Sequence, residues 1–178
     1  VDFGAGSFPA HDIGGDYYDF FTLSSGKIGI IVADIVGKGI PAGLFMAMLK
    51  STLHTNILPY DSPQKALEKI NKILFNDSVI NKFVPAIYAI LDPTTLELKY
   101  CNAGHEPGLI LRKNKISILD SVGFPLGGYE EADYEEKSLI LEDRDTVLLY
   151  TDGLVEARGN RNSSFGINRL KTLLRETI

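Results

Sequence analysis

The sequence has one cysteine, three histidines and no tryptophan in 178 residues. A single Cys101 excludes an internal disulfide and any multi-cysteine zinc site. It also excludes a cysteine-phosphatase loop, because Pro107 stands where C-x5-R requires arginine. Positive charge is scarce as well. Lys and Arg number 18 against 23 Asp and Glu, a net charge of −5, so nothing invites nucleic acid or direct contact with an anionic membrane. No hydrophobic run approaches the roughly 20 residues of a membrane-crossing helix, and the N-terminal Asp, Gly and Pro do not make a signal peptide. A cytoplasmic setting is therefore expected. Internal repeats, low-complexity segments and linkers are also missing, so residues 1–178 are expected to form one domain with a full core. The chain opens on Val1 and stops at Ile178 inside an apolar helical pattern (Ile167, Leu170, Leu173, Leu174), which suggests a piece cut from a longer protein.

What is present centres on Lys27 to Leu53. Ile28 to Ile35 is an Ile/Val-rich apolar run interrupted by Asp34 alone, the pattern of a strand covered on both faces. Gly37-Lys38-Gly39 then lets backbone approach a ligand closely, which makes these three residues candidates for substrate binding. Pro41 fits a first helical turn. Ala42 to Leu49 is apolar almost all round, which predicts a buried helix. A carboxylate at the end of a buried strand is costly without a partner, so Asp34 calls for a functional explanation.

Upstream, Gly14-Gly15-Asp16 opens an aromatic strand that Ser24 to Gly26 turns into the Lys27 strand, predicting an antiparallel hairpin. Asp16 and Asp19 would then face opposite ways, so only one can share a site with Asp34. Downstream, Ser62 is a plausible cap for a helix with the stripe Ala66, Leu67, Ile70, Ile73 and Leu74. Strands are predicted over residues 83–91, 96–102, 108–112, 116–119, 134–141 and 146–150. A final helix follows Phe165-Gly166. Two long helices beside hairpin-linked strands indicate an α+β class built on antiparallel sheets.

A second strand ends as the Asp34 strand does, at Thr151-Asp152-Gly153. Asp16, Asp34 and Asp152, with no His or Cys cluster, suit Mg²⁺ or Mn²⁺ better than softer metals. Two such ions about 4 Å apart can lower the pKa of a shared water and aim it at phosphorus. Aspartates that simply cap turns fit the same spacing, and spacing alone leaves both readings open. A dinucleotide loop fails because Gly43 falls one residue late, and a Walker A loop fails because Gly39 follows Lys38. Lys38 suits either a phosphate contact or a solvated turn. His105, after a glycine turn, reads as structural and not as a general acid. His11-Asp12 reads as a surface turn, and Tyr17, Tyr18 and Phe20 as core and cleft wall.

Four segments carry a resemblance: Gly14 to Phe20, Ala33 to Ala42, Asn102 to His105 and Leu149 to Ala157. In order and spacing they resemble the SpoIIE/RsbU-type bacterial serine/threonine phosphatases of the PPM (protein phosphatase 2C-like) family. The resemblance implies a four-layer αββα sandwich with two Mn²⁺ or Mg²⁺ ions. Asp34 would bridge them beside the Ile35 carbonyl, Asp152 would be a further ligand, and Asp16 would act directly or through water. It implies phosphoserine or phosphothreonine substrates on STAS-type anti-sigma-factor antagonists, an upstream sensor or receiver domain, and a homodimer. Three features depart from the pattern. Val36 replaces a serine, Pro85 replaces a threonine and suggests an edge strand or bulge, and the closing Asp-Asp-x-Thr strand is missing. These departures keep a catalytically silent binding module of the same fold as the alternative.

Overall fold

The structure is a computed structural model that describes residues 1–9, 13–35, 37, 39–76, 83–159 and 163–176. Its first sheet has the order β1 (Asp16–Thr22), β2 (Ile28–Asp34), β3 (Ala86–Leu91), β4 (Glu97–Ala103) and β7 (Lys137–Ile140). The second has β6 (Lys115–Leu119), β5 (Gly108–Arg112) and β8 (Thr146–Leu148) in that order. Every pairing in both is antiparallel. Helices α1 (Ile40–Asn56) and α2 (Pro63–Asn76) belong with the first sheet, and α4 (Ile167–Glu176) with the second.

Three apolar cores separate four layers. The largest joins α1 and α2 to the first sheet through Leu49, Leu53, Leu67, Ile70, Ile31 and Tyr88. Ala89, Leu91 and Tyr100 meet Ile110 and Leu119 between the sheets. Leu109 and Tyr150 meet Leu170 of α4 on the far side. The αββα arrangement is thus present.

Local chemistry explains the element ends. Gly26, at φ 85°, closes the β1–β2 turn. Asp92 accepts the N–H groups of Thr94 (2.9 Å) and Thr95 (3.2 Å) to turn β3 into β4. Ser62 Oγ accepts the Lys65 N–H (3.3 Å) as an N-cap and itself donates to Glu136.

Two expectations need correction. The α1 helix is not buried all round: Ala42, Phe45, Leu49 and Leu53 are buried, but Ile40 and Leu44 are about 70% exposed (72% and 68%). An apolar residue on a helix says nothing about which side the sheet covers. Pro85 is not on an edge strand, because β3 lies between β2 and β4 and the proline immediately precedes it. Its missing N–H costs nothing there, and its carbonyl accepts the Asp34 N–H (2.9 Å).

Candidate active site

The hairpin register sets Asp16 directly opposite Asp34, at the end of the sheet where β2 finishes. Just past that point the two chains stay locked together. Ile35 N–H donates to the Gly15 carbonyl (3.0 Å), and Gly39 N–H to the Ile13 carbonyl (3.2 Å). A Cβ on Gly15 would collide with the Ile35 carbonyl oxygen, which is the physical reason for glycine before Asp16. The chain then turns through Gly37 and Gly39, at φ 122° and 75°, into α1.

Asp152 comes from the other sheet. It is the first residue of the short helix α3 (Asp152–Glu156), which follows β8. Asp16 Oδ2 lies 3.6 Å from the position a Cβ would take on Gly153, so the β1 carboxylate reaches the start of α3. Asp34 is half-buried, whereas Asp16 and Asp152 are exposed. Burial, then the negative charge of Asp152, then that of Asp16 push the Asp34 carboxyl above the ordinary range, and only His105 opposes them. Like charges therefore gather at an open sheet end without a described lysine or arginine to balance them at Asp34.

Asp19 is separate, as its odd offset from Asp16 requires. It faces the helices, where Tyr17 Oη (2.8 Å), His54 Nε2 (2.7 Å) and Lys50 Nζ (3.4 Å) converge on its Oδ2. Its carboxyl ends below the ordinary range: burial raises it, and the hydrogen bonds from His54 and Tyr17 with the charge of Lys50 outweigh that. Lys38 and Val36, like His11 and Asp12, lie outside the described residues. Among those described, no three or more His, Cys, Asp or Glu side chains form a ready-made metal cage.

The sequence reading missed how closely the Asn102 to His105 turn joins this end. Gly104 bridges to Ala86, one residue from the proline that holds Asp34. Asn102 clamps the turn, its Oδ1 accepting the His105 N–H (2.7 Å) and its Nδ2 donating to the His105 carbonyl (2.9 Å). The signal was an Asn three residues before a His across a glycine.

Comparison with known proteins identifies the lineage. The sequence model of the family described as "Stage II sporulation protein E (SpoIIE)" matches residues 24–178. The chain belongs to the SpoIIE family. It is 33% identical over 160 residues to "Phosphoserine phosphatase RsbU" of Bacillus subtilis (strain 168), covering 89% of this chain and 48% of that protein. It is 28% identical over 150 residues to "Phosphoserine phosphatase RsbP" of the same organism, covering 82% and 37%. The chain thus spans less than half the length of either relative. Among solved structures, the RsbU and RsbW domains of Rv1364c from Mycobacterium tuberculosis superpose with a TM-score of 0.78 at 27% identity, over 94% of this chain and 46% of that one. The SiaA-PP2C domain of Pseudomonas aeruginosa gives 0.82 at 22% identity, over 94% and 68%, and shares the fold. The SpoIIE-family chain therefore has the fold of the PP2C-like (PPM) phosphatase domains.

Proposed function

We propose that this SpoIIE-family chain is the catalytic domain of a metal-dependent phosphoprotein phosphatase that hydrolyses phosphoserine or phosphothreonine. The observation that carries the reading is that Asp16 faces Asp34 across the β1–β2 hairpin and reaches the start of α3 at Asp152, where burial and then the charges of Asp152 and Asp16 raise the Asp34 carboxyl. A turn-capping role would not require them to meet. The residues fit a hard divalent cation, because every donor is oxygen and a cation relieves that repulsion. Asp16, Asp34 and Asp152 would hold Mg²⁺ or Mn²⁺ with the Ile35 carbonyl, and water would fill the remaining positions. Two bound ions would supply charge neutralisation at the phosphoryl group and an activated water.

The chain's own residues do the rest. The Gly15–Ile35 and Ile13–Gly39 hydrogen bonds hold the Asp16 and Asp34 backbones in register. Gly37, Lys38 and Gly39 are the residues we propose for substrate binding, since a glycine-rich turn after β2 would let backbone approach a phosphoryl oxygen.

RsbX, a fold neighbour at 18% identity, has been solved with magnesium, which favours the same class of ion here. Two relatives are named phosphoserine phosphatases. From the family resemblance we further propose a phosphorylated STAS-domain protein as substrate in a partner-switching pathway. The domain would sit in a longer cytoplasmic protein with an upstream sensor or receiver domain, and act as a homodimer. No described helix is long and apolar enough to cross a membrane. Manganese-dependent release of phosphate from a phosphoserine STAS protein tests the assignment. Binding of that protein without turnover would favour the silent module.

A further inference from the structure

Upstream of β3, residues 83–85 continue past the sheet end at which β2 finishes at Asp34. The Pro85 carbonyl accepts the Asp34 N–H (2.9 Å), and Val84 exchanges two backbone hydrogen bonds with Leu126 (2.8 and 2.9 Å). The segment 122–130 is thereby carried to the rim of the aspartate end. Its Pro125 ring would lie 2.8 Å from a Cβ on Gly104, the residue whose backbone bridges to Ala86.

Two aromatic side chains of this segment stay in solvent. Phe124 is 53% exposed and Tyr129 60%, and their rings meet edge to face with centroids 4.9 Å apart. Phe83 is exposed beside them, 3.7 Å from where a Cβ on Gly128 would stand. An apolar patch of this kind is held in water against the hydrophobic effect, which marks a contact surface. The backbone beneath it is fixed. Asn71 of α2, 1% exposed, accepts the Gly127 N–H (2.8 Å) and donates to the carbonyls of Tyr129 (2.8 Å) and Glu130 (3.2 Å). A partner therefore meets a preformed shelf, with little left to order on binding.

Charge beside the shelf says what else the partner carries. Glu130 and Glu131 follow Tyr129, and with Asp133 and Glu68 they line a groove of about 280 Å³. Lys72 is the one cation among the described lining residues, so the groove suits a cationic side chain.

We propose that this shelf docks the phosphoprotein substrate. An apolar side chain rests on Phe124 and Tyr129, and a lysine or arginine enters the acidic groove, while the phosphoserine lies at the aspartates. On the phosphatase reading above, on which this rests, Phe124, Tyr129, Glu130 and Glu131 determine specificity and take no part in bond breaking. Contacts that hold substrate and transition state alike act on KM and not on kcat.

Matched phosphoserine peptides test this with the full-length protein and Mn²⁺, beside 4-nitrophenyl phosphate, which is too small to span both sites. The peptides carry leucine and arginine, leucine and glutamate, or serine and glycine on both sides of the phosphoserine. Wild type should favour the leucine–arginine peptide over either other by about tenfold in kcat/KM, through KM. Phe124→Ser with Tyr129→Ser should lower kcat/KM on that peptide, relative to nitrophenyl phosphate, by about tenfold. Phe124→Leu with Tyr129→Phe should keep most of it. Glu130→Arg with Glu131→Arg should reverse the preference between arginine and glutamate, which a loss of fold could not produce. Equal rates on the three peptides, or losses that fall equally on nitrophenyl phosphate, would overturn the docking role and leave the phosphatase reading standing. So would shelf variants that turn a dimer into monomers while peptide preference stays unchanged, the mark of a contact between two copies. If wild type hydrolyses neither the peptides nor nitrophenyl phosphate, the phosphatase reading fails and takes the docking role with it.

Discussion

Two aspartates three positions apart on β1 have opposite fates, and the pleat decides which. Asp16 falls on the face that meets Asp34, whereas Asp19 falls on the helix face, where it hydrogen-bonds His54 and pairs with Lys50. Asp16→Asn should weaken Mn²⁺ binding by about tenfold or more with little change in melting temperature, since it removes an exposed carboxylate oxygen from a cation site. Asp19→Asn should do the reverse. It should cost about 1–3 kcal/mol of stability through weakened hydrogen bonds and leave Mn²⁺ affinity unchanged. Calorimetric titration and denaturant unfolding of the same two variants check both. The opposed facing was legible from period-two alternation. The partners of Asp19 were not, because His54 and Lys50 lie more than thirty residues away and only the packing of α1 brings them over.

At the scale of elements, the hairpin, both long helices, the Asp92 turn and the Ser62 cap could be read from local chemistry. Strand limits were read too long. The stretch 134–141 shrinks to Lys137–Ile140 and 146–150 to Thr146–Leu148, because strand residues end where a partner ends and not where apolar residues do. Helix α1 shows the other limit. Its apolar residues on both sides gave no direction, and the sheet covers one face only. Leu49→Ala should therefore cost about 2–5 kcal/mol, and Leu44→Ser less than about 0.5 kcal/mol. Ser62→Ala should cost about 1 kcal/mol by uncapping α2. Urea midpoints of the three variants test which face of α1 is buried and whether the cap works.

Across the whole molecule, the three cores and the two-sheet meeting of the aspartates required a fold that spacing alone could not supply. The four segments carried it as a resemblance, and the structure shows why they converge: β1, β2, β4 and α3 all present ends at one edge of the sandwich. The charge layout also sets the acid response. Arg112 holds the buried Asp145 carboxyl below its ordinary range through paired hydrogen bonds (3.0 Å from Nε to each oxygen). A folded value below the unfolded one adds stability above the ordinary carboxylate range, and that stability is lost as pH falls through the folded value. Asp34 has the opposite sign, because its raised carboxyl opposes folding when ionised and ceases to do so on protonation. Asp145→Asn should thus lower the urea midpoint at neutral pH and flatten its decline below about pH 5, so that wild-type and variant curves converge in acid. Parallel curves would contradict this.

In the function proposed above, Asp34 would anchor a metal-dependent phosphatase centre. Its most direct test is phosphate release from 4-nitrophenyl phosphate and a phosphoserine peptide by full-length wild type and Asp34→Ala, with Mn²⁺ and with chelator. Wild type should turn over with Mn²⁺ and not with chelator, and Asp34→Ala should lose at least about 100-fold in a way that added Mn²⁺ does not repair. Turnover that survives chelation or the loss of Asp34, or a folded wild type that binds a phosphorylated STAS protein without releasing phosphate, would contradict it.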